Sequence, residues 1–447
     1  MPHTSLGYRA VVRLGTTLIP GISLLDRKLR EGHLGRRRAG QRLVAWARSG
    51  RDPARPLVWF HAASVGEGLQ AESVLLELRR RRPGCQLVYT HFSPSAEPLA
   101  RRLPVDVADF LPYDLPATTG KLLDVLVPDL LVFSKLDLWP ELAAQAAQRR
   151  VTVAIVAATV SRGSGRMRWP VRSLLGPGYR SVDAAAAVSQ EDAERLERLG
   201  VAAGRIRVLG DPRFDSIVAR VRAVAPDDPL LRFGRGAPTL VAGSTWPADE
   251  EVLVETFARI HVHRPDARLL LVPHEPTATR LERIEARARR AGLPAPVRLS
   301  RAETPVPLLL VDRVGVLASL YGAGTMAYVG GGFGRAGLHS VLEPAAWGIP
   351  VAFGPRWRNS RDALVLLEAG AAEALLQFGT GEAAEALRDH WESWMVDEPR
   401  RAAQGRRGRE VVAQGLGAAE RSARFLDDLI SSRPLRRSPT EGRSGPG

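Results

Sequence analysis

The sequence has little of what builds disulfide-linked, metal-bound or membrane-spanning proteins. Cys85 is its single cysteine, so no internal disulfide can form, and no paired Cys/His spacing typical of a zinc site is present. Residues 8–25 are largely apolar, but Arg9, Arg13 and Pro20 interrupt them, whereas a membrane-spanning helix needs about 20 apolar residues. A reducing cytosolic compartment without a transmembrane helix is therefore expected.

Lysine is nearly absent as well, because Lys28, Lys121 and Lys135 are the only ones, and arginine carries the formal net charge of +15. Such a charge suits an anionic membrane surface, a phosphorylated small molecule or a nucleic acid. Nucleic acid is the least favoured partner, since no zinc-finger spacing and no interleaved aromatic and basic pattern occurs. The basic stretch at 27–38 predicts that residues 1–50 contact a membrane, although a solvated basic helix packed on the first domain would show the same pattern.

The length of 447 residues exceeds one ordinary hydrophobic core and predicts two or three domains. From residue 57 onward, short apolar runs alternate with helical stretches, which is typical of a doubly wound α/β fold. The predicted strands are 57–62, 86–90, 129–134, 151–157 and 184–188 in the first half, and 239–243, 268–273, 307–311, 326–330 and 350–354 in the second.

A stretch rich in proline and glycine at 223–238 predicts an interdomain linker. We therefore expect an N-terminal segment of residues 1–50, followed by two Rossmann-like domains at 51–222 and 237–430 that face a cleft. The tail at 431–447 is rich in Ser, Pro, Arg and Gly without apolar periodicity, and it is predicted to be disordered.

The most informative stretch is 328–355, where strand, glycine-rich turn, helix and strand follow one another. Gly331 and Gly332 stand at the carboxyl end of the predicted strand, where backbone without Cβ can approach a polar ligand closely. Ser340 and Glu343 lie near the start of the next helix, whose N–H groups suit a phosphate, and the carboxylate suits ribose hydroxyls. A tight turn with helix caps and no ligand fits the same pattern.

A second candidate site follows the first predicted strand, where residues 61–68 lead into a helix. The Glu67 carboxylate is expected to face the cleft, where it could accept a proton from a hydroxyl nucleophile. Alternatively, Glu67 only complements the positive end of the helix dipole, and Ser64 is the N-cap rather than a ligand. Spacing alone leaves both interpretations open.

A set of short motifs occurs in one order along the chain, and the ordered set is more specific than any of its members. Together they resemble the Kdo (3-deoxy-manno-octulosonic acid) transferases of lipid A biosynthesis, which are GT-B glycosyltransferases. The motifs are His61-Ala-Ala-Ser-Val-Gly-Glu67, Leu111-Pro-Tyr-Asp-Leu-Pro116, Leu138-Trp-Pro140, Gly210-Asp-Pro-Arg-Phe-Asp215, Gly243-Ser-Thr245, Leu342-Glu-Pro-Ala-Ala346 and Gly354-Pro355.

The resemblance implies an inverting, metal-independent transfer of Kdo from CMP-Kdo to a lipid A precursor at the cytoplasmic face of the inner membrane, with no cofactor. Glu67 matches the family's general base, Asp137 occupies a carboxylate position of the family, and Arg213 matches a basic residue that stabilises developing negative charge. The CMP part of the donor would bind the second domain, at the matching positions Ser244, Thr245, Pro273, His274, Gly315, Gly331, Gly332, His339, Ser340, Leu342 and Glu343.

Several positions depart from the family's pattern. Lys135 and Asp137 stand where the family has two glutamates, which affects the acceptor side. On the donor side, Trp246 replaces a histidine, His274 replaces an arginine, and Ser340 replaces an asparagine. These changes predict a divergent member with an altered donor or acceptor. Further departures are Thr159, Glu275, Val316 and Leu338.

Two alternatives to a Kdo transferase follow from these departures. One is a related GT-B nucleotide-sugar enzyme, such as an epimerase or another sugar transferase. The epimerase would turn over nucleotide sugar without an acceptor. The other is a non-catalytic, membrane-associated protein with a decayed donor site, which no nucleotide would stabilise.

Overall fold

The computed structural model describes residues 4–23, 26–161, 163–334 and 337–432. The chain forms two compact units, one from the described residues up to Ser216 and from Leu416 onward, the other from Ile217–Gly415. Each unit contains a seven-stranded sheet in which all paired strands are parallel. The prediction of two Rossmann-like α/β domains is confirmed.

The sheet of the first unit has the strand order β3-β2-β1-β4-β5-β6-β7. Strands β2 and β3 are added on one side of β1 and strands β4 to β7 on the other, so the strand order reverses between β1 and β4. Ligands of open α/β sheets bind outside the carboxyl ends of the strands at such a switch point. The strands are β1 (Leu57–His61), β2 (Gln86–His91), β3 (Val107–Phe110), β4 (Leu130–Ser134), β5 (Thr152–Ala158), β6 (Ala184–Ala187) and β7 (Ile206–Val208).

Helices cover both faces of this sheet. Val58 and Phe60 of β1 belong to the hydrophobic core on one face, while Trp59 belongs to the core on the other face. This alternation explains why β1 is continuously apolar, as expected of a buried parallel strand. The helices of this unit are α1 (Leu6–Ile22), α2 (Arg27–Gly50), α3 (Val65–Arg81), α4 (Glu97–Arg102), α5 (Pro116–Leu126), α6 (Pro140–Gln148), α7 (Val171–Arg180), α8 (Gln190–Leu199), the first turn of α9 (Arg213–Arg222), and α17 (Ala418–Ser431).

The sheet of the second unit has the order β10-β11-β9-β8-β12-β13-β14, with its switch point between β8 and β12. Its strands are β8 (Thr239–Thr245), β9 (Arg268–Pro273), β10 (Val297–Arg298), β11 (Leu308–Leu310), β12 (Met326–Val329), β13 (Val351–Phe353) and β14 (Ala372–Ala374). Its helices, after the end of α9, are α10 (Pro247–His261), α11 (Ala278–Arg290), α12 (Leu317–Ala323), α13 (Leu342–Trp347), α14 (Arg361–Glu368), α15 (Thr380–Val396) and α16 (Glu398–Gln414).

The four strands that the sequence did not predict are the four sheet edges, β3, β7, β10 and β14. Each has two to four residues and one neighbouring strand. Such strands need no continuous apolar run, because only one side of their backbone pairs and their faces are partly exposed. The ten predicted strands all lie at the expected places.

The last helix belongs to a different unit than the sequence predicts, because the second domain is expected to extend to residue 430. α17 packs against α3 of the first unit. Asp215 fixes its start, since the two carboxylate oxygens accept from Gly417 N at 2.7 Å and Ala419 N at 2.9 Å. Ser431, the expected first residue of the tail, ends this helix, and residues 433–447 lie outside the described part.

The N-terminal helix α1 is attached to the first unit through polar side chains. Tyr8 Oη donates to Asp114 Oδ2 at 2.8 Å, and Arg9 Nε donates to the buried Glu141 at 2.8 Å. Asp114 also accepts from the N–H groups of Glu141 and Leu142, so it joins α1 to the start of α6. None of the helices in the described ranges is long and apolar enough to cross a membrane.

The buried Asp114 makes the stability of this attachment depend on pH. Burial raises the pKa of Asp114 to about 7. Between about pH 4 and pH 7 the folded chain therefore binds more protons at Asp114 than the unfolded chain does, so the contribution of this group to stability falls as the pH rises. We expect the difference in thermal midpoint between wild type and Asp114→Asn to shrink from about pH 5 to about pH 7.5.

Thermal unfolding of both proteins across this range checks the expectation. Asp124→Asn is the control, because Asp124 is exposed and Arg149 lowers its pKa, which puts its titration below this window. A difference for Asp114→Asn that stays constant or grows with pH contradicts the assignment.

Candidate active site

Glu67 lies in the first turn of α3, directly after β1 at the switch point of the first sheet. Its Oε2 accepts from the backbone N of Ser64 at 3.1 Å and from Ser64 Oγ at 3.0 Å. Ser64 Oγ in turn accepts from Glu67 N, which completes a capping box. Ser64 is therefore the N-cap of α3, and these two contacts fix the Glu67 carboxylate.

The other oxygen of this carboxylate, Oε1, has no hydrogen-bond partner within the described ranges. Ser134, the last residue of β4, donates its hydroxyl to the Glu67 carbonyl at 3.0 Å. This bond joins the two strands that flank the switch point, because α3 follows β1. The geometry leaves one oxygen of a fixed carboxylate available to a ligand.

Asp137 follows β4 and lies beside the end of β1. Its Oδ1 is 3.4 Å from Arg166 Nη2, and its Oδ2 is 3.5 Å from His61 Nε2. That histidine nitrogen already accepts from Trp139 Nε1 at 2.9 Å. An indole N–H only donates, so Nε2 carries no proton and the ring proton is on Nδ1, next to Thr90 Oγ1. The His61 and Asp137 side chains are thus close neighbours at the end of β1.

Arg213 begins α9 and is paired within its own motif. Its Nη2 lies 2.6 Å from Asp211 Oδ2, and its backbone N donates to Asp211 Oδ1 at 2.9 Å. The same motif contributes Asp215, which caps α17 as described above. Much of the Gly210–Asp215 motif therefore has a structural explanation, in addition to any part it has in charge stabilisation.

The site of the second unit is organised by the buried carboxylate of Asp249. Its Oδ2 accepts from Trp246 N at 2.8 Å and from Gly331 N at 2.9 Å, and its Oδ1 accepts from Tyr328 Oη at 2.8 Å. Trp246 follows β8, while Gly331 follows β12, so Asp249 joins the two strands at the switch point. Burial raises the pKa of Asp249, although these three donors favour the charged form.

The glycines after β12 are required by close backbone approach. A Cβ on Gly330 would lie 2.4 Å from the carbonyl oxygen of Ser244, and one on Gly332 would lie 2.6 Å from Gly354 N. Gly331 adopts a φ of 97°, a conformation that L side chains rarely adopt. The glycine run therefore packs the turn between β8 and β13, as the interpretation without a ligand also requires.

Three aromatic rings lie together at this edge. Trp246 stacks on His274 with the ring centroids 5.0 Å apart, and the rings of His274 and His339 are 4.4 Å apart. Trp246 Nε1 donates to His339 Nε2 at 2.9 Å. Burial, together with the neighbouring His274, lowers the pKa of His339 to about 4. His274 and His339, two residues expected to bind the sugar donor, thus lie together with Trp246, which replaces a histidine of the family pattern.

The other expected donor positions differ in how accessible their side chains are. Thr245 Oγ1 donates to the buried Glu250 at 3.1 Å, and Glu343 accepts from Arg220 at 2.7 Å. Leu342 is buried, so its side chain belongs to the core. The remaining positions lie along the carboxyl edge of the sheet: Ser244 with φ 53°, Pro273 at the end of β9, Gly315 with φ 85° before α12, and the exposed Ser340 before α13.

Sequence reasoning missed Asp249 and Asp114 as organising residues. A signal existed for Asp249, because it stands three residues after Trp246, at the position from which a carboxylate caps the start of a helix. Asp114 lies inside the Leu111–Pro116 motif, but the motif does not reveal its partners on α1 and α6, which are distant in sequence. Within the described ranges, no group of three or more His, Cys, Asp and Glu side chains is arranged to hold a metal ion.

Comparison with solved structures supports the fold. The UDP-GlcNAc 2-epimerase of Neisseria meningitidis, solved with UDP-GlcNAc bound, matches 85% of this chain and 100% of its own, with a TM-score of 0.60 and 10% identity. At this identity the likeness shows the fold alone, which is the GT-B arrangement of two Rossmann-like domains.

Comparison with protein sequences is more specific. A family model described as 3-deoxy-D-manno-octulosonic-acid transferase (kdotransferase) matches residues 37–216. The 3-deoxy-D-manno-octulosonic acid transferase of Bordetella pertussis is 31% identical over 423 residues, which are 88% of this chain and 94% of that protein. The enzyme of the same name from Haemophilus influenzae is 24% identical over 389 residues, 83% of this chain and 87% of its own. The chain therefore belongs to the 3-deoxy-D-manno-octulosonic acid transferase family and is a glycosyltransferase.

Proposed function

We propose that this chain transfers Kdo from CMP-Kdo to a hydroxyl of a lipid A precursor, with inversion at the anomeric carbon and without a metal ion or cofactor. The observation that carries the proposal is the placement of Glu67 at the switch point of the first sheet, with Oε2 fixed by Ser64 and Oε1 without a partner in the described ranges. A general base needs this combination of a fixed position and an accessible oxygen.

In the proposed reaction, the acceptor hydroxyl gives its proton to the Glu67 carboxylate as its oxygen attacks the anomeric carbon of Kdo. The bond between that carbon and the CMP phosphate oxygen breaks, and CMP leaves with the electron pair. Asp137 assists on the acceptor side, and Arg213 stabilises the negative charge that develops on the leaving group. No protein nucleophile is needed, because a single displacement inverts the configuration.

The CMP part of the donor is proposed to bind the second unit, at the carboxyl edge of its sheet. The turn after β12 brings backbone N–H groups and the rings of His274 and His339 to the switch point, where α/β sheets bind nucleotides. Ser340 and Glu343 flank the start of α13 beside this turn. The ribose hydroxyls could share the Glu343 carboxylate with Arg220.

The enzyme is proposed to act at the cytoplasmic face of the inner membrane, held there by α1. Val11, Leu14, Leu18 and Ile22 share one face of this helix at helical spacing, and each is at least half exposed. The helix has no acidic residue in its first turn, and the exposed Lys28 follows at the start of α2. These features suit an interfacial helix on an anionic surface. Arg36 is not available for that contact, because it is buried and donates to Phe92 O at 2.8 Å.

Replacement of the base should abolish transfer without unfolding the protein. Glu67→Gln keeps an oxygen that can accept from Ser64 in the capping box but cannot accept a proton. We expect the transfer rate from CMP-Kdo to a lipid A precursor, measured with EDTA present, to fall about 100- to 10,000-fold while the thermal midpoint is retained.

The matched control is Glu77→Gln, the same change near the other end of α3, where the carboxylate pairs with Arg80 alone among the described residues. This control should transfer at the wild-type rate. Full transfer activity in Glu67→Gln would rule out the proposed base.

Membrane contact through α1 can be tested on vesicles. Leu14→Glu combined with Leu18→Glu places two charges on the exposed apolar face without touching Tyr8 or Arg9, which attach the helix. We expect binding to phosphatidylglycerol vesicles to weaken by about tenfold or more, because each leucine loses its burial in the interface.

Co-sedimentation of the full chain measures this binding. Val262→Glu is the control, since Val262 is 75% exposed but lies after α10 in the second unit. Equal binding of the α1 variant and this control contradicts attachment through α1.

A further inference from the structure

Trp246 is the departure from the family pattern that makes the most specific contacts in the second unit. Its backbone N is held by Asp249, and the guanidinium of Arg280 lies 5.6 Å from its ring centroid. Arg280 is itself fixed by the buried Glu250 at 2.9 Å. These contacts position the indole independently of the hydrogen bond that its own N–H makes.

The indole N–H determines which nitrogen of His339 carries the proton. Trp246 Nε1 can only donate, so the hydrogen bond of 2.9 Å requires an unprotonated Nε2 on His339. The single proton of the neutral ring is then on Nδ1. The backbone N of His339 donates to Gly330 O at 3.1 Å, which anchors the residue on the glycine turn.

The surroundings of His339 also disfavour a second proton. Protonation at Nε2 would break the bond with Trp246 and place two N–H groups against each other. The ring of His274 lies 4.4 Å away, and its charged form would repel an imidazolium. Burial, with this neighbour, lowers the pKa of His339 to about 4. His339 Nδ1 has no acceptor among the described residues. It is not a buried atom, so a ligand can reach it.

We propose that Trp246 is a positioning residue for the donor, which holds His339 as the neutral Nδ1–H tautomer so that this ring offers one fixed, uncharged hydrogen-bond donor to the CMP part of the nucleotide-activated sugar. The inference rests on the proposed function, because it assigns the ligand of this edge to the CMP-sugar. It also gives the substitution at 246 a role, since a histidine in that place would not be restricted to donating.

Nitrogen-15 NMR of histidine-labelled full-length protein tests the tautomer directly. The His339 signals, assigned by their loss in His339→Asn, should show a protonated Nδ1 and an unprotonated Nε2 in wild type. Trp246→Phe keeps an aromatic ring for His274 but has no N–H, so the Nε2–H tautomer should become populated. The affinity for CMP, measured by calorimetry, should fall about fivefold to tenfold, as for one lost hydrogen bond.

Further variants separate positioning from a general structural effect. Trp394→Phe removes another indole N–H of the same unit, which donates to Gln404, and it should leave both the His339 signals and CMP affinity unchanged. In a His339→Ala background, which lacks the ring, Trp246→Phe should cause no further loss of CMP affinity. His339→Asn, whose side-chain amide stands near the place of Nδ1–H, should retain more affinity than His339→Ala.

The outcomes are distinguishable. An Nε2–H tautomer in wild type, or an unchanged tautomer in Trp246→Phe, overturns the inference. Unchanged CMP affinity in a Trp246→Phe protein whose tautomer has changed overturns it as well, and so does an additional loss in the His339→Ala background. If the wild-type chain binds no CMP, the proposed donor is wrong and the role of Trp246 in binding it falls too, whatever the NMR signals show.

Discussion

The buried carboxylate of Asp249 is the interaction on which the site of the second unit depends. It receives three hydrogen bonds, from the backbone N–H groups of Trp246 and Gly331 and from the hydroxyl of Tyr328. Two of these donors lie at the ends of the strands that flank the switch point. Without the carboxylate, the buried Gly331 N–H would be left unpaired, at a cost of about 1–3 kcal/mol. A charge in the core is tolerated here because every part of it has a partner.

The first unit also contains a buried carboxylate that accepts several hydrogen bonds, but it joins different elements. Asp114 is also fully buried and accepts three hydrogen bonds, but its partners are α1 and the start of α6 rather than two strand ends. Since α1 carries the exposed apolar face, this carboxylate ties the proposed membrane contact to the sheet that holds Glu67. Both units also pair a tryptophan N–H with a histidine Nε2, at Trp139 and His61 and at Trp246 and His339. In each unit the pair lies beside the switch point.

The sequence predicts the parts of this structure that depend on local patterns. Central strands are buried and largely apolar, so the sequence predicts all ten of them, whereas the edge strands, such as β7 with its exposed Val208, have no such signal. The capping role of Ser64 was predicted as one of two interpretations, and the structure shows it. Asp249 and Gly331 are 82 residues apart, and Trp139 and His61 are 78 apart. Such pairs depend on the strand order, which a single sequence does not specify.

The strand order also changes how the departures from the family pattern are interpreted. In the sequence, Trp246 and His274 are separate substitutions that remove expected donor contacts, which is the pattern of a decaying site. In the structure their rings stack, and both lie against His339, which matches the family residue. A decaying site would lose side-chain contacts one by one, since nothing would favour replacements that fit each other. Here Trp246 donates to the retained His339 and His274 packs against both rings, so the two substitutions are better explained as one repacked surface.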